Sequence, residues 1–214
     1  MNKIKRTLML GMLMLSGLSF NSWADTAMSW NLARDMLLAK ESAPAGFPWA
    51  FMQNTTAVNQ AANYTLTPSF LLDQCGALPA TCWKDPVTES YVAVFKANHN
   101  FSGGGGSFVF KQGDVALHPG KNSQTIIRWN SPVAGNISIL GRVNDLHASC
   151  GDGIGWSVMS GDTVLQSGNL ANGGSSTFSV SNVPVLATSS IYFVFDKKAN
   201  YSCDATSIDV LIVK

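Results

Sequence analysis

Charge is scarce in this chain. Of 214 residues, 13% are Asp, Glu, Lys or Arg, with 14 basic against 13 acidic. No surplus of positive charge is available to displace counterions from a nucleic acid, which excludes general nucleic-acid binding. Histidine is rarer still. Three occur, His99, His118 and His147, without the H-E-x-x-H spacing of a zinc hydrolase. The G-x-S-x-G elbow of serine hydrolases is missing too; Gly151-Asp152-Gly153-Ile154-Gly155 has no serine at its centre. Four successive glycines, 103–106, are not followed by Gly-Lys-Ser/Thr and do not make a phosphate loop. After residue 20 no apolar run approaches the ~20 residues of a membrane-spanning helix. No internal repeat and no second domain are found.

The N-terminus has the anatomy of a secretory signal peptide. Lys3, Lys5 and Arg6 precede an apolar stretch from Thr7 to Phe20, and Ser22-Trp23-Ala24 supplies small residues at the −3 and −1 positions. Residues 1–24 are therefore expected to be removed near Ala24. This leaves 25–214 as one domain with 11 Lys+Arg against 13 Asp+Glu, a balance of −2. The destination is secreted or extracellular, with the periplasm as the alternative.

Four cysteines in an oxidising compartment imply a disulfide framework. Cys75 and Cys82 flank a six-residue loop that can close on itself. Cys150 and Cys203 each adjoin an acidic loop, Cys150-Gly151-Asp152-Gly153 and Cys203-Asp204. The expected bridges are 75–82 and 150–203. They leave no thiol for catalysis.

The segment 26–40 is a short N-terminal helix or an extended segment, closed by Pro44, Gly46 and Pro48. Thereafter the pattern is β. Strands are expected at 49–53, 64–72, 91–96, 107–111 and 114–117. The glycine run is expected to form a mobile loop over 97–107. Thr125, Ile127 and Trp129 alternate with Ile126 and Arg128; Ile137, Ile139 and Gly141 alternate with Ser138 and Arg142. With Pro132 and Gly135 between them, these two runs predict an antiparallel hairpin with one buried face. Strands at 154–159, 163–166, 175–180, 190–195 and 208–213 complete the set. The fold class expected is all-β, an antiparallel two-sheet β-sandwich.

Several motifs inside this pattern belong together: His118-Pro119-Gly120, Arg128-Trp129-Asn130-Ser131-Pro132, Ala134-Gly135, Gly141, Gly151-Asp152-Gly153 and Asp204-Ala205-Thr206. They resemble a recurrent module of exported bacterial proteins, and Pro48-Trp49-Ala50-Phe51 matches its early aromatic strand. The resemblance covers most of 30–213. It implies a jelly-roll-like sandwich, similar in shape to carbohydrate-binding modules. Cys150 and Cys203 are not part of the module's pattern, and a covalent bridge there can take the place of a stabilising ion.

Two sites follow as expectations. A sugar ring stacks on an exposed aromatic face while polar side chains bond its hydroxyls. Trp49 and Trp129 lie in alternating strands and are expected in the core. Trp83 and Trp156, beside loops, are the candidate platforms, with Tyr201, Asn200 and His147 as their companions. Asp145, Asp152 and Asp204 are the candidate ligands of a Ca²⁺ ion, which takes six to eight oxygens; the competing reading makes them turn residues. The function expected is non-catalytic binding of a glycan by a monomer. The alternatives are a secreted scaffold that binds an extracellular or host surface protein and, more weakly, a glycoside hydrolase using Asp152 and Asp204.

Overall fold

The computed structural model describes residues 27–56, 58–103 and 105–214. The expected signal peptide and its cleavage point lie outside the described residues. The chain opens with β1 (Ser29–Asn31), α1 (Leu32–Leu38) and β2 (Trp49–Asn54), followed by a 3₁₀ turn at Ala61–Asn63. Then come β3 (Thr65–Leu66), β4 (Ser69–Leu71), β5 (Ala80–Lys84), β6 (Tyr91–Phe95), β7 (His99–Gly103), β8 (Gly106–Phe110) and β9 (Val115–His118). The C-terminal half holds β10 (Gln124–Asn130), β11 (Gly135–Asp145), β12 (Gly155–Ser160), β13 (Thr163–Asn169), β14 (Ser175–Val185), β15 (Ser190–Asp196) and β16 (Thr206–Val213).

The strands build two antiparallel sheets and one separate hairpin. Sheet I runs β14-β11-β16-β9-β6-β5-β4, with β1 paired to the end of β16; sheet II runs β13-β12-β15-β10-β2-β3. The third unit is β7-β8. The all-β sandwich is as expected, and 26–40 contains both alternatives, a short strand and then a helix. Asn31 caps that helix by accepting a hydrogen bond from the Arg34 amide at 2.9 Å. Leu32 and Met36, four apart, turn its one apolar face into the core.

Two expectations fail. The runs 125–129 and 136–143 do not form a hairpin. β10 pairs with β2 and β15 in sheet II, whereas β11 pairs with β14 and β16 in sheet I. The turn at Ser131–Ala134 therefore carries the chain from one sheet to the other. Nor do the described residues of 97–107 form a loop throughout, since Gly103 and Gly106 pair at the end of the β7-β8 hairpin.

The core lies between the sheets, where alternating residues of both meet. Trp129 is fully buried, edge-on to Trp30 at 5.1 Å. Phe51, Phe193, Phe195, Ile139 and Ile212 surround it in the same cluster. Truncating such a residue costs about 3–5 kcal/mol. Sheet outer faces are partly covered as well. The β7-β8 hairpin lays Phe101, Phe108 and Phe110 beside Cys82, Ala93 and Phe95 of sheet I. Tyr64, beyond the 3₁₀ turn, packs on Met159, Tyr192 and Val194 of sheet II. Cover on both faces explains why several strands are apolar at successive positions.

Candidate functional site

Both expected disulfides are present, Cys75–Cys82 and Cys150–Cys203, with Cα–Cα separations of 5.6 and 5.7 Å. The second gathers an acidic corner from three loops. Gly151 and Gly153 have φ of +87° and +75°, which is why the Gly-Asp-Gly turn needs glycine on both sides. Asp204 follows the bridge and is 0% exposed, yet neither carboxylate oxygen has a hydrogen-bond partner. A Cβ built on Gly151 would stand 3.3 Å from Asp204 Oδ1, so the turn lies directly against the carboxylate. Burial, then the carboxylates of Asp152 and Asp145, raise the Asp204 acid to about 7.

Asp145 is 4% exposed. Its Oδ1 accepts from the His147 amide at 2.9 Å and the Gly173 amide at 3.4 Å, while its Oδ2 has no partner. Burial raises this acid too, against the pull of those two amides. Asp152 differs. It is exposed and its Oδ2 accepts from the Ala199 amide at 3.1 Å. Among the described residues no set of three or more His, Cys, Asp or Glu side chains is arranged to hold a metal. Of the expected ligands Asp145, Asp152 and Asp204, the first and last are buried carboxylates and Asp152 is a solvated neighbour.

The two tryptophans expected as an aromatic platform are both buried. Trp83 is 3% exposed and lies in the core against Phe51 (4.2 Å) and Phe70 (5.0 Å), its Nε1 donating to Ser42 O at 2.9 Å. Trp156 is 6% exposed and packs on Phe178. Gly168 faces it across the β12-β13 pair, and a Cβ there would sit 2.9 Å from the indole. Neither ring is exposed, each strand's alternation pointing it inward, and Trp156 also lines a groove of sheet II. His147 is 5% exposed, perpendicular to the rings of Phe101 and Phe108, and burial lowers its pKa. Tyr201 is half-buried and turned towards His118 at 6.2 Å. Asn200 is exposed, its Oδ1 accepting from the Ser202 amide. The five do not share one surface.

The open recess lies elsewhere, on the outer face of sheet II. A groove of about 550 Å³ is lined by Gln124 of β10, Ser157 of β12, Ser167 and Asn169 of β13, Val194 and Asp196 of β15, with Asn59 and Lys198 at its edges. A second recess of about 380 Å³ continues it, sharing Gln124, Asp196 and Lys198 and adding Asn54, Asn122 and Ser123. A relay of side chains crosses three strands along this floor. Asn54 Nδ2 donates to Gln124 Oε1 at 2.8 Å, and Gln124 Nε2 donates to Asp196 Oδ2 at 2.9 Å. Asp196 Oδ1 accepts from the Lys198 amide at 2.7 Å. Lys198 Nζ in turn donates to Asp152 O and Leu170 O, so it is a wall common to groove and corner.

Trp156, which also lines the groove, was singled out from the sequence; the polar floor residues were not. Their signal was the polar half of the strand alternation, as in Gly155-Trp156-Ser157 and Val194-Phe195-Asp196. That alternation marks an outward face without telling which outward face is recessed.

No family model matches the chain. No curated protein matches it. Some solved structures resemble parts of it. The K3 cleaved adhesin domain of Lys-gingipain from Porphyromonas gingivalis is 11% identical, covering 47% of this chain and 74% of that one, with a TM-score of 0.37. A CBM51 module from Clostridium perfringens, in complex with methyl-galactose, is 12% identical, covering 57% and 92%, with a TM-score of 0.36. The enzymatically active domain of a bacteriophage CBA120 tailspike is 9% identical, covering 77% and 19%, with a TM-score of 0.35. Scores this low transfer neither fold nor ligand. The class rests on the strand pairings themselves: a disulfide-bonded, antiparallel β-sandwich with a polar groove on one outer face.

Proposed function

We propose that the protein binds a glycan, without catalysis, in the groove on the outer face of sheet II. The observation that carries this reading is the composition and layout of the groove floor. Amide, carboxylate, hydroxyl and ammonium groups occur side by side, drawn from five strands and the adjoining loops. Planar amides and carboxylates offer paired donors and acceptors, which match the vicinal hydroxyls of a sugar. Val164 and Val194 supply apolar contact for the C–H faces. The recess is of a size that suits small-molecule ligands. Its two signs of charge nearly balance, which favours a neutral saccharide over an anionic one.

Two further features support the wider reading. The disulfides suit a protein that works outside the cytoplasm, and no helix among the described residues is long and apolar enough to cross a membrane. Complete burial removes Asp204 from the acid–base pair a glycosidase would need, because a general acid must reach the glycosidic oxygen.

Calorimetric titration with a panel of neutral oligosaccharides tests the proposal. At least one should bind, and Gln124→Ala and Asn169→Ala should each weaken it about five- to ten-fold, the worth of one or two hydrogen bonds. Absence of heat across the panel, or binding indifferent to both changes, removes the groove as a glycan site. Binding of a surface protein in place of any saccharide favours the scaffold alternative.

A further inference from the structure

The acidic corner beside Cys150–Cys203 poses a problem of its own. Four side-chain oxygens there are buried without any hydrogen-bond partner: both of Asp204, Asp145 Oδ2 and Asn172 Oδ1. Buried polar atoms are almost always paired, so four orphans in one corner point to something that pairs them. They belong to adjoining loops. Asn172 Nδ2 donates to Gly151 O at 3.1 Å, and Gly151 lies against Asp204 Oδ1. Asp145 Oδ1 accepts from Gly173, the neighbour of Asn172.

The local cations do not answer the need. Lys197 Nζ donates to Ala199 O, and Lys198 Nζ donates to Asp152 O and Leu170 O. Neither bonds a carboxylate of the corner. A proton shared between two oxygens satisfies at most two of the four. A divalent cation, unlike a proton, can pair with more than two oxygens. Every orphan in question is a carboxylate or amide oxygen, a hard donor set, and at least one wholly buried carboxylate is among them. Hard oxygen donors with irregular loop geometry suit Ca²⁺ rather than Zn²⁺.

We propose that this corner binds one Ca²⁺ ion through the side chains of Asp204, Asp145 and Asn172, with water completing the shell. The exposed Asp152 adds negative charge at the entrance. The ion ties the loops 145–153, 171–174 and 202–205 together beside the disulfide. Affinity falls in the range of extracellular modules, on the order of 10⁻⁴–10⁻³ M.

The test starts from full-length mature protein dialysed against a calcium chelator. Calcium chloride should give a one-site calorimetric isotherm and raise Tm by roughly 5–10 °C when it exceeds Kd about a hundred-fold. Asp204→Asn and Asn172→Ala, each checked for native circular dichroism, should weaken the ion at least ten-fold. If Asp204→Asn does not fold, Asn172→Ala and Asp145→Asn decide. No heat and no Tm change with calcium up to about 100 mM, a hundred-fold above the weak end of the range, overturns the proposal. So does binding of Zn²⁺ in place of Ca²⁺, or calcium binding unchanged in every folded variant.

Discussion

The groove of sheet II and the acidic corner are neighbours that share Lys198, yet they treat polar groups in opposite ways. Along the groove floor Asn54, Gln124 and Asp196 hold one another in a chain of hydrogen bonds. In the corner Asp204 has no partner for either oxygen. The first region is complete by itself and can exchange water for a ligand without rearranging. The second is electrostatically unfinished and depends on something added. A pre-formed polar surface favours recognition, whereas a buried unpaired carboxylate is a cost that a bound cation offsets.

The largest expected effect falls on the frame of the corner. Replacing Cys150 and Cys203 by serine opens a loop with a sequence separation of 53, which should cost about 4 kcal/mol. In a domain of this size that is a fall in Tm of roughly 8–16 °C. The same change at Cys75 and Cys82, separated by 7, should cost only about 2 kcal/mol. Equal losses in thermal scans would show that the corner gains nothing special from its bridge. Next in size is chelation of the wild type, which should lower Tm by roughly 5–10 °C and be reversed by calcium.

A third prediction sharpens the contrast with a buried aspartate that is paired. Burial pushes the Asp85 acid up, but hydrogen bonds from Gln53 Nε2 and the Val87 and Thr88 amides win and hold it below the usual carboxylate value. A depressed acid stabilises the fold above its unfolded pKa and loses that contribution as pH falls through its folded one. Stability from Asp85 is therefore present at pH 7 and lost below about pH 4. Asp85→Asn should lower Tm by about 3–8 °C at pH 7 and flatten the acid limb. An unchanged acid limb in pH-dependent melting would contradict it. The smallest stability effect is expected in the groove. Gln124→Ala leaves Asn54 bonded to Val58 O and Asp196 bonded to the Lys198 amide, so Tm should move by less than about 3 °C while glycan affinity falls.

The sandwich was legible in the sequence because a period of two marks a strand with distinct faces. Placement of Trp129 and Trp49 in the core followed from the same alternation. The limits were just as physical. Alternation in 125–129 and 136–143 shows that each run buries a face, not that the two share a sheet, and Ser131–Ala134 is long enough to change sheets. Trp83 and Trp156 stand next to loops in sequence, but their β-register turns both rings inward. The cysteine pairing was readable from the short 75–82 loop and the acidic loops beside Cys150 and Cys203; that Asp145 and Asp204 are buried while Asp152 is exposed was not. Asn172 was missed because it comes from a third loop that nothing near the cysteines announces.

Amide shift mapping of the isotopically labelled protein, titrated with the best oligosaccharide of the panel, tests the central claim most directly. The perturbed amides should concentrate at Ser157, Ser167, Asn169, Val194 and Asp196, with Asn200 and Tyr201 unmoved. Perturbations centred on Asn200 and Tyr201, or none with any saccharide, would contradict the assignment of this face.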